Sequence, residues 1–375
     1  MSGFSVFELQ PTAGRMLHAA AARERLAQAY LFYGLEGTGK WMAALRTAQL
    51  IMCPEAHKAN HCDCSTCKRI ADYNHPDVHW IIPLVARDKQ RADIDDADES
   101  EPSDAQAREF QEILAAKRED PWAVLDYARR PYITMGRVRA LQATLAYTAA
   151  EGPRKVAIII NAETMRPDAQ SVLLKTIEEP PPHTHMVLTA SEKSALLPTI
   201  LSRCQPVRFL PLPHRAIAGR LIEELRLDDD RARRIAELSA GSWARARRLT
   251  SEEWDVWRQA VVLLLSAAVS RSADELIHSI DTVFKQRPDL GKMIFLFEVW
   301  QTALHRAAVT LAGSPENPPI ALMSVFRRRA ALDDARAAVI GNVTYKTAVA
   351  AALLDVHRNL HPGGRQALQQ VLTTI

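Results

Sequence analysis

The sequence predicts an α/β protein, a parallel sheet with helices on both faces, followed by segments that are wholly helical. Three observations predict it. Short aliphatic runs alternate with helical patterns through the first half of the chain. Those runs are apolar throughout instead of alternating, as strands buried on both faces are. After Pro211-Leu212-Pro213 every pattern is helical.

Strands are predicted at Tyr30 to Tyr33, His79 to Ile82, Val156 to Ile160, Met186 to Thr189 and Val207 to Leu210. The stretch 87–104, RDKQRADIDDADESEPSD, is charged, largely acidic and free of aromatics, and is expected to be a disordered or mobile insertion. Two prolines make Pro211-Leu212-Pro213 a hinge. Helices at His214 to Leu225, Asp230 to Leu238 and Trp243 to Leu249 form a small three-helix unit. Longer Ala- and Leu-rich helices follow from Ser251, with breaks near Gly313-Ser314-Pro315, Gly341-Asn342 and Pro362-Gly363-Gly364. The expected domains are 1–210, 211–250 and 251–375.

A chain of 375 residues exceeds one ordinary domain. With 47% apolar and 24% charged residues it can build sizeable cores. A net charge of +3 argues against a dominant nucleic-acid-binding surface, so any DNA contact is local or shared with partner chains. No run of about 18 uncharged apolar residues suggests a membrane span. MSGFSVFELQP has no basic segment leading into an apolar run, so no signal peptide is expected and the cytoplasm is the default location.

Gly34-Leu35-Glu36-Gly37-Thr38-Gly39-Lys40 follows the first strand and opens a helix. This is G-x-x-x-x-G-K in the setting it needs. Glycines turn backbone N–H groups toward phosphates, the helix N-terminus favours anions, and the lysine reaches the terminal phosphates. A working loop then places Ser or Thr to hold Mg²⁺. Trp41 stands there, and an indole cannot ligate the metal. Carboxylates expected after a neighbouring aliphatic strand are also missing: the positions read Ile160-Asn161, with Glu163 two residues further on. Whether ATP or ADP still binds through Gly34, Gly37, Thr38, Gly39 and Lys40 stays open.

Five cysteines are present, four of them close together as Cys53-x₈-Cys62-x-Cys64-x₂-Cys67. Four thiolates suit tetrahedral Zn²⁺ and leave no open position for catalysis. Buried unpaired thiols or a disulfide pair are the alternatives. His57, His61 and His75 are expected to be surface or packing residues, and Cys204 a small buried one.

Ala29-Tyr30-Leu31-Phe32, His75-Pro76-Asp77, Leu173-Leu174-Lys175-Thr176-Ile177-Glu178-Glu179-Pro180-Pro181 and Thr199-Ile200-Leu201-Ser202-Arg203-Cys204 resemble, together and in order, the clamp-loader subunits of bacterial DNA polymerase III. The resemblance covers roughly 15–250, outside the acidic stretch. It implies a AAA+ P-loop domain, a small helical lid and an all-α collar. It also implies a structural zinc module after the P-loop helix, usually with two residues between the second and third cysteines where this chain has only Asp63. In this family the gamma/tau chains hydrolyse ATP and delta-prime has lost hydrolysis. Trp41 and Ile160-Asn161 put the chain with the latter. So does Ala244, where active subunits carry a nucleotide-sensing Arg; Arg245 is one step, about 100°, round the helix. The Arg of Ser202-Arg203-Cys204, intact here, enters a neighbour's ATP site in the family. The implied partners are gamma/tau and delta subunits, the sliding clamp and primed DNA. The alternatives are an active gamma/tau-like ATPase, against which Trp41, Ile160 and Asn161 speak, and a zinc-containing nucleic-acid-binding module on a dead P-loop scaffold.

Overall fold

A computed structural model describes residues 6–58, 62–85, 104–123, 125, 127, 131–270, 272–285, 290–313, 319–340 and 344–372. The acidic stretch lies outside them except for Asp104, and so does His61. The chain divides into two compact units. The first takes in Met1–Leu125, Pro131–Ile217 and Gly241–Ala244; the second, Asp126–Arg130, Ala218–Ala240 and Arg245–Ile375.

The first unit is built on five parallel strands: β1 (Ala29–Tyr33), β2 (Val78–Ile81), β5 (Lys155–Ile159), β6 (Thr184–Ala190) and β7 (Gln205–Arg208), in the order β2-β5-β6-β1-β7. The expected strands are all present. The central ones are buried on both faces, which is why their sequences do not alternate. The run expected to end at Leu210 leaves its ladder at Arg208, yet its backbone stays paired. Phe209 N–H donates to the Tyr33 carbonyl at 2.8 Å. The buried Gln10 amide accepts from Leu210 N–H at 3.0 Å and donates to its carbonyl at 2.7 Å. A short antiparallel pair, β3 (Leu84–Val85) with β4 (Pro131–Tyr132), gave no signal in the sequence because two residues are too few to show a period.

Helices α1 (Val6–Leu9), α2 (Pro11–Ala22), α3 (Lys40–Met52), α4 (Ser65–Ala71), α5 (Asp104–Glu119), α6 (Met135–Ala146), α7 (Pro167–Glu178) and α8 (Pro198–Arg203) belong to the same unit. One core cluster joins Ile159, Leu188, Val138, Leu173, Ile177 and Ile200, so α6, α7 and α8 are pinned to the sheet by the same apolar residues. The His75-Pro76-Asp77 motif has a structural use. Asp77 accepts from the backbone N–H groups of Ala150, Glu151 and Gly152 at 2.6, 2.9 and 3.1 Å. Burial opposes its charge, but these three donors hold the carboxyl below its ordinary range and tie down the turn that enters β5.

Helix α9 (His214–Leu225) begins in the first unit and runs into the second. The second also holds α10 (Asp229–Leu238), most of α11 (Trp243–Arg248), α12 (Glu252–Val269), α13 (Ala273–Phe284), α14 (Leu290–Ala312), α15 (Pro319–Ile340), α16 (Tyr345–Asn359) and α17 (Pro362–Leu372). Asp228 caps α10 by accepting from Arg231 N–H at 2.8 Å. Phe297 and Trp300 of α14 are fully buried, with ring centroids 5.7 Å apart edge to face. Arg328 and Asp355 join α15 to α16 at 2.5 Å. The expected break near Pro362 falls just before it: proline opens α17, where its missing N–H costs nothing. Gly363 and Gly364 continue the helix, and a Cβ on Gly364 would meet Leu360 and Val325 at 3.1 and 3.2 Å.

Candidate functional site

In a parallel sheet the carboxyl ends of the strands meet at one edge, and there the loops after β1, β5 and β6 converge. Gly34 N–H donates to the Ala190 carbonyl at 3.2 Å, and Asn161 N–H to the Thr189 hydroxyl at 2.9 Å. Gly34, Gly37 and Gly39 have φ of +141°, +72° and +93°, a backbone path that side chains resist. Gly39 caps α3, and the buried Thr38 hydroxyl donates to the Leu35 carbonyl at 2.8 Å. The three glycines thus set the path of the loop into α3.

Its lysine is turned inward. Lys40 Nζ donates to the carbonyls of Gly34 at 2.6 Å and Leu35 at 2.8 Å. Burial lowers its pKa to about 8, partly offset by Glu163 and Glu36. The loop is also covered. A Cβ on Gly37 would stand 2.5 Å from Ala244 N and 2.7 Å from Ser242 Oγ, and Trp243 N–H donates to the Gly37 carbonyl at 3.0 Å. A Cβ on Gly39 would meet Val6 at 2.7 Å and Trp122 at 2.9 Å.

Trp41 is absorbed into an aromatic group. Its ring stacks on Trp80 with centroids 5.4 Å apart, and its N–H donates to the Tyr73 hydroxyl at 2.9 Å. Lys117 of α5 lies over the ring, its Nζ 4.8 Å from the centroid and bonded to the Ala123 carbonyl at 2.6 Å. Burial lowers the Lys117 pKa to about 8, against the pull of Asp120 and Glu36. Nothing near Trp41 in sequence marks Trp80, Tyr73 or Lys117 as its neighbours.

After β5, Ile160 is buried and Asn161 takes a left-handed conformation with φ +49°. Glu163 lies in the single turn that follows and accepts from Ser191 N–H at 2.8 Å. Burial raises its pKa, opposed by the Ser191 bond and the field of Lys40. Arg245 is buried, and its guanidinium donates to the Thr302 hydroxyl at 3.3 Å.

The four clustered cysteines come together. Cys53 ends α3, Cys62 and Cys64 precede α4, and Cys67 lies in its first turn. Their sulfurs lie within 4.8 Å of one another, with Cys53 Sγ 3.9 Å from Cys62 Sγ and 3.7 Å from Cys64 Sγ. This group can hold a metal ion. Cys67 N–H donates to Cys64 Sγ at 3.3 Å and holds that thiol down to about 7, whereas burial pushes Cys53 and Cys67 up. The Arg46 guanidinium faces the cluster's field and donates to the Ala56 carbonyl at 2.6 Å. Gln49 donates to the Cys67 carbonyl at 2.9 Å and fixes α4 to α3. Cys204 is buried elsewhere, and desolvation pushes its thiol up to about 12.

Arg203 stands apart from both groups, at the last position of α8 with its side chain 41% exposed. Its Nη2 lies 2.8 Å from Glu178 Oε1, and its Nη1 donates to the Thr199 carbonyl at 3.2 Å. Glu178 was legible only as part of a motif, with no role attached.

Comparison with known proteins bears on the family of the chain. Residues 9–213 match the family described as DNA polymerase III, delta subunit. The chain is 34% identical over 218 residues to DNA polymerase III subunit delta' of Bacillus subtilis, covering 58% of this chain and 52% of that protein. It is 30% identical over 231 residues to the delta' subunit of Pseudomonas aeruginosa, covering 60% and 57%. The tau subunit of Bacillus subtilis is 24% identical over 324 residues, covering 80% and 49%. The chain thus spans about half the length of the curated relatives it matches. Among solved structures, a gamma subunit-related protein of Thermotoga maritima superposes with a TM-score of 0.41 at 15% identity, covering 94% of this chain and 99% of that one. With more than half of its residues inside the family match, the chain belongs to the DNA polymerase III delta subunit family, as a clamp-loader subunit of the delta-prime kind, related to tau and gamma.

Proposed function

We infer that this chain is a non-hydrolysing arm of the clamp loader. It holds its place through its helices and supplies Arg203 to the ATP site of a neighbouring subunit. The observation that carries the reading is the closed phosphate loop: Lys40 is bonded to the loop's own carbonyls, with Ser242 and Ala244 packed over Gly37. Trp41 and Ile160 offer no metal ligand and Asn161 brings no carboxylate, so these residues do not fit a hydrolysable Mg²⁺–nucleotide, and no catalytic step is assigned to this loop.

The chemistry instead lies in another chain. A guanidinium supplied in trans stabilises charge on a transferring phosphoryl group, worth about 10³–10⁵ in rate in well-studied cases. Arg203 is exposed at a helix end, as such a donor must be. The reading includes gamma/tau and delta subunits, the sliding clamp and primed DNA as partners, a cytoplasmic location, and the division into AAA+ (1–210), lid (211–250) and collar (251–375) domains. Structural Zn²⁺ belongs to it as well. Zn–S bonds of about 2.3 Å in a tetrahedron give S···S edges of about 3.8 Å. The separations of 3.7 and 3.9 Å support that ion despite the shortened Cys-x-Cys spacing.

The test is turnover by the isolated chain. The expected result is no ATP hydrolysis above about 0.1 s⁻¹, against about 10 s⁻¹ for a typical enzyme. Turnover above that level, abolished by Lys40→Ala, would make the chain an active ATPase of the gamma/tau kind.

A further inference from the structure

We propose that Glu178 is the positioning residue for Arg203. The proposal rests on the reading of Arg203 as a cation supplied in trans and assigns it a partner within this chain.

Both side chains stand on a shared rigid base. Ile177, next to Glu178, and Ile200 and Cys204, flanking Arg203, belong to one buried cluster. The two backbones are therefore fixed relative to one another while the charged ends reach the surface. There Glu178 Oε1 meets Arg203 Nη2 at 2.8 Å, and the Thr199 carbonyl takes Nη1 at 3.2 Å. Oxygens from two directions hold one planar group.

The placement of Glu178 runs against local preference. It is the last residue of α7, and Glu179 follows as its cap. A helix C-terminus favours cations, so carboxylates there are disfavoured. Stability does not explain the pair either, because an ion pair exposed to this degree contributes little to folding. What it does is restrict the arginine. A free arginine side chain samples many rotamers and must give them up to meet phosphate in one geometry. Glu178 removes part of that loss before the neighbour's nucleotide arrives.

The experiment uses the reconstituted clamp loader containing this full chain. It measures clamp- and DNA-stimulated ATPase for Glu178→Ala, Glu178→Gln, Arg203→Ala and the Glu178→Ala/Arg203→Ala pair. Incorporation is checked by co-purification in equal amounts. Glu178→Ala is expected to lower kcat about fivefold, equal to about 1 kcal/mol, with KM for ATP unchanged. Glu178→Gln keeps an acceptor oxygen and is expected to lose only about twofold. In the Arg203→Ala background, removing Glu178 should cost nothing more. If Arg203→Ala slows the complex but Glu178→Ala does not, or if the two losses add, the positioning role is wrong and the trans arginine stands. If Arg203→Ala itself changes nothing, both fall together.

Discussion

Lys40 is 6% exposed and bonded to two carbonyls of its own loop. Its folded pKa, about 8, lies below the ordinary 10.5. The sign follows from linkage. Between those values the unfolded chain binds a proton that the folded chain does not, so stability rises with pH through that window; below about pH 8 both states hold the proton and the penalty is constant. Lys40→Met should therefore flatten part of the rise in stability between about pH 8 and 10.5, as followed by denaturant unfolding. An unchanged slope would show that the ammonium is solvated. Trp41 makes the same point from the next position. Its failure as a metal ligand could be read from the residue type alone. Its stacking on Trp80 could not, because Trp80 lies on β2, far from α3 in sequence.

At the scale of elements, α3 links the loop to the cysteine cluster: Gly39 caps its start and Cys53 its end. The account expects about one Zn²⁺ per chain. Chelation or Cys64→Ser should lower the melting temperature by roughly 5–10 °C, because the free energy of binding a structural metal is part of folding. Melting unaffected by chelator, with no metal found by elemental analysis, would mean that the thiols only pack. The parallel strands and the loop were legible because each depends on local pattern: an unbroken aliphatic run, or glycines at fixed spacing before a lysine. The same holds for the four cysteines. What stayed hidden depends on contacts distant in sequence. Gln10 pairing with Leu210, Asp77 holding the turn at Ala150 to Gly152, and Glu178 meeting Arg203 have no local period to announce them. Ala244 illustrates the boundary. By resemblance its identity implies that a sensing arginine is missing, but only the fold shows its backbone covering Gly37.

For the whole molecule, two features have to be explained together: a phosphate loop closed on itself and an arginine exposed where it serves no group of its own site. A subunit that gives its arginine to a neighbour accounts for both. Removing Arg203 should cost this chain no more than about 0.5 kcal/mol of stability, as for other exposed positions. Arg203→Lys should restore little, since a point ammonium cannot reproduce a planar two-pronged contact with phosphate oxygens. The most direct measurement is clamp- and DNA-stimulated ATPase, with clamp loading followed in parallel, for the reconstituted complex carrying Arg203→Ala. The account predicts a complex that assembles normally, loses much of its stimulated ATPase at the site facing this subunit, and loads clamps more poorly still. Assembly with wild-type ATPase and wild-type loading would contradict it, and would leave this chain as a scaffold only.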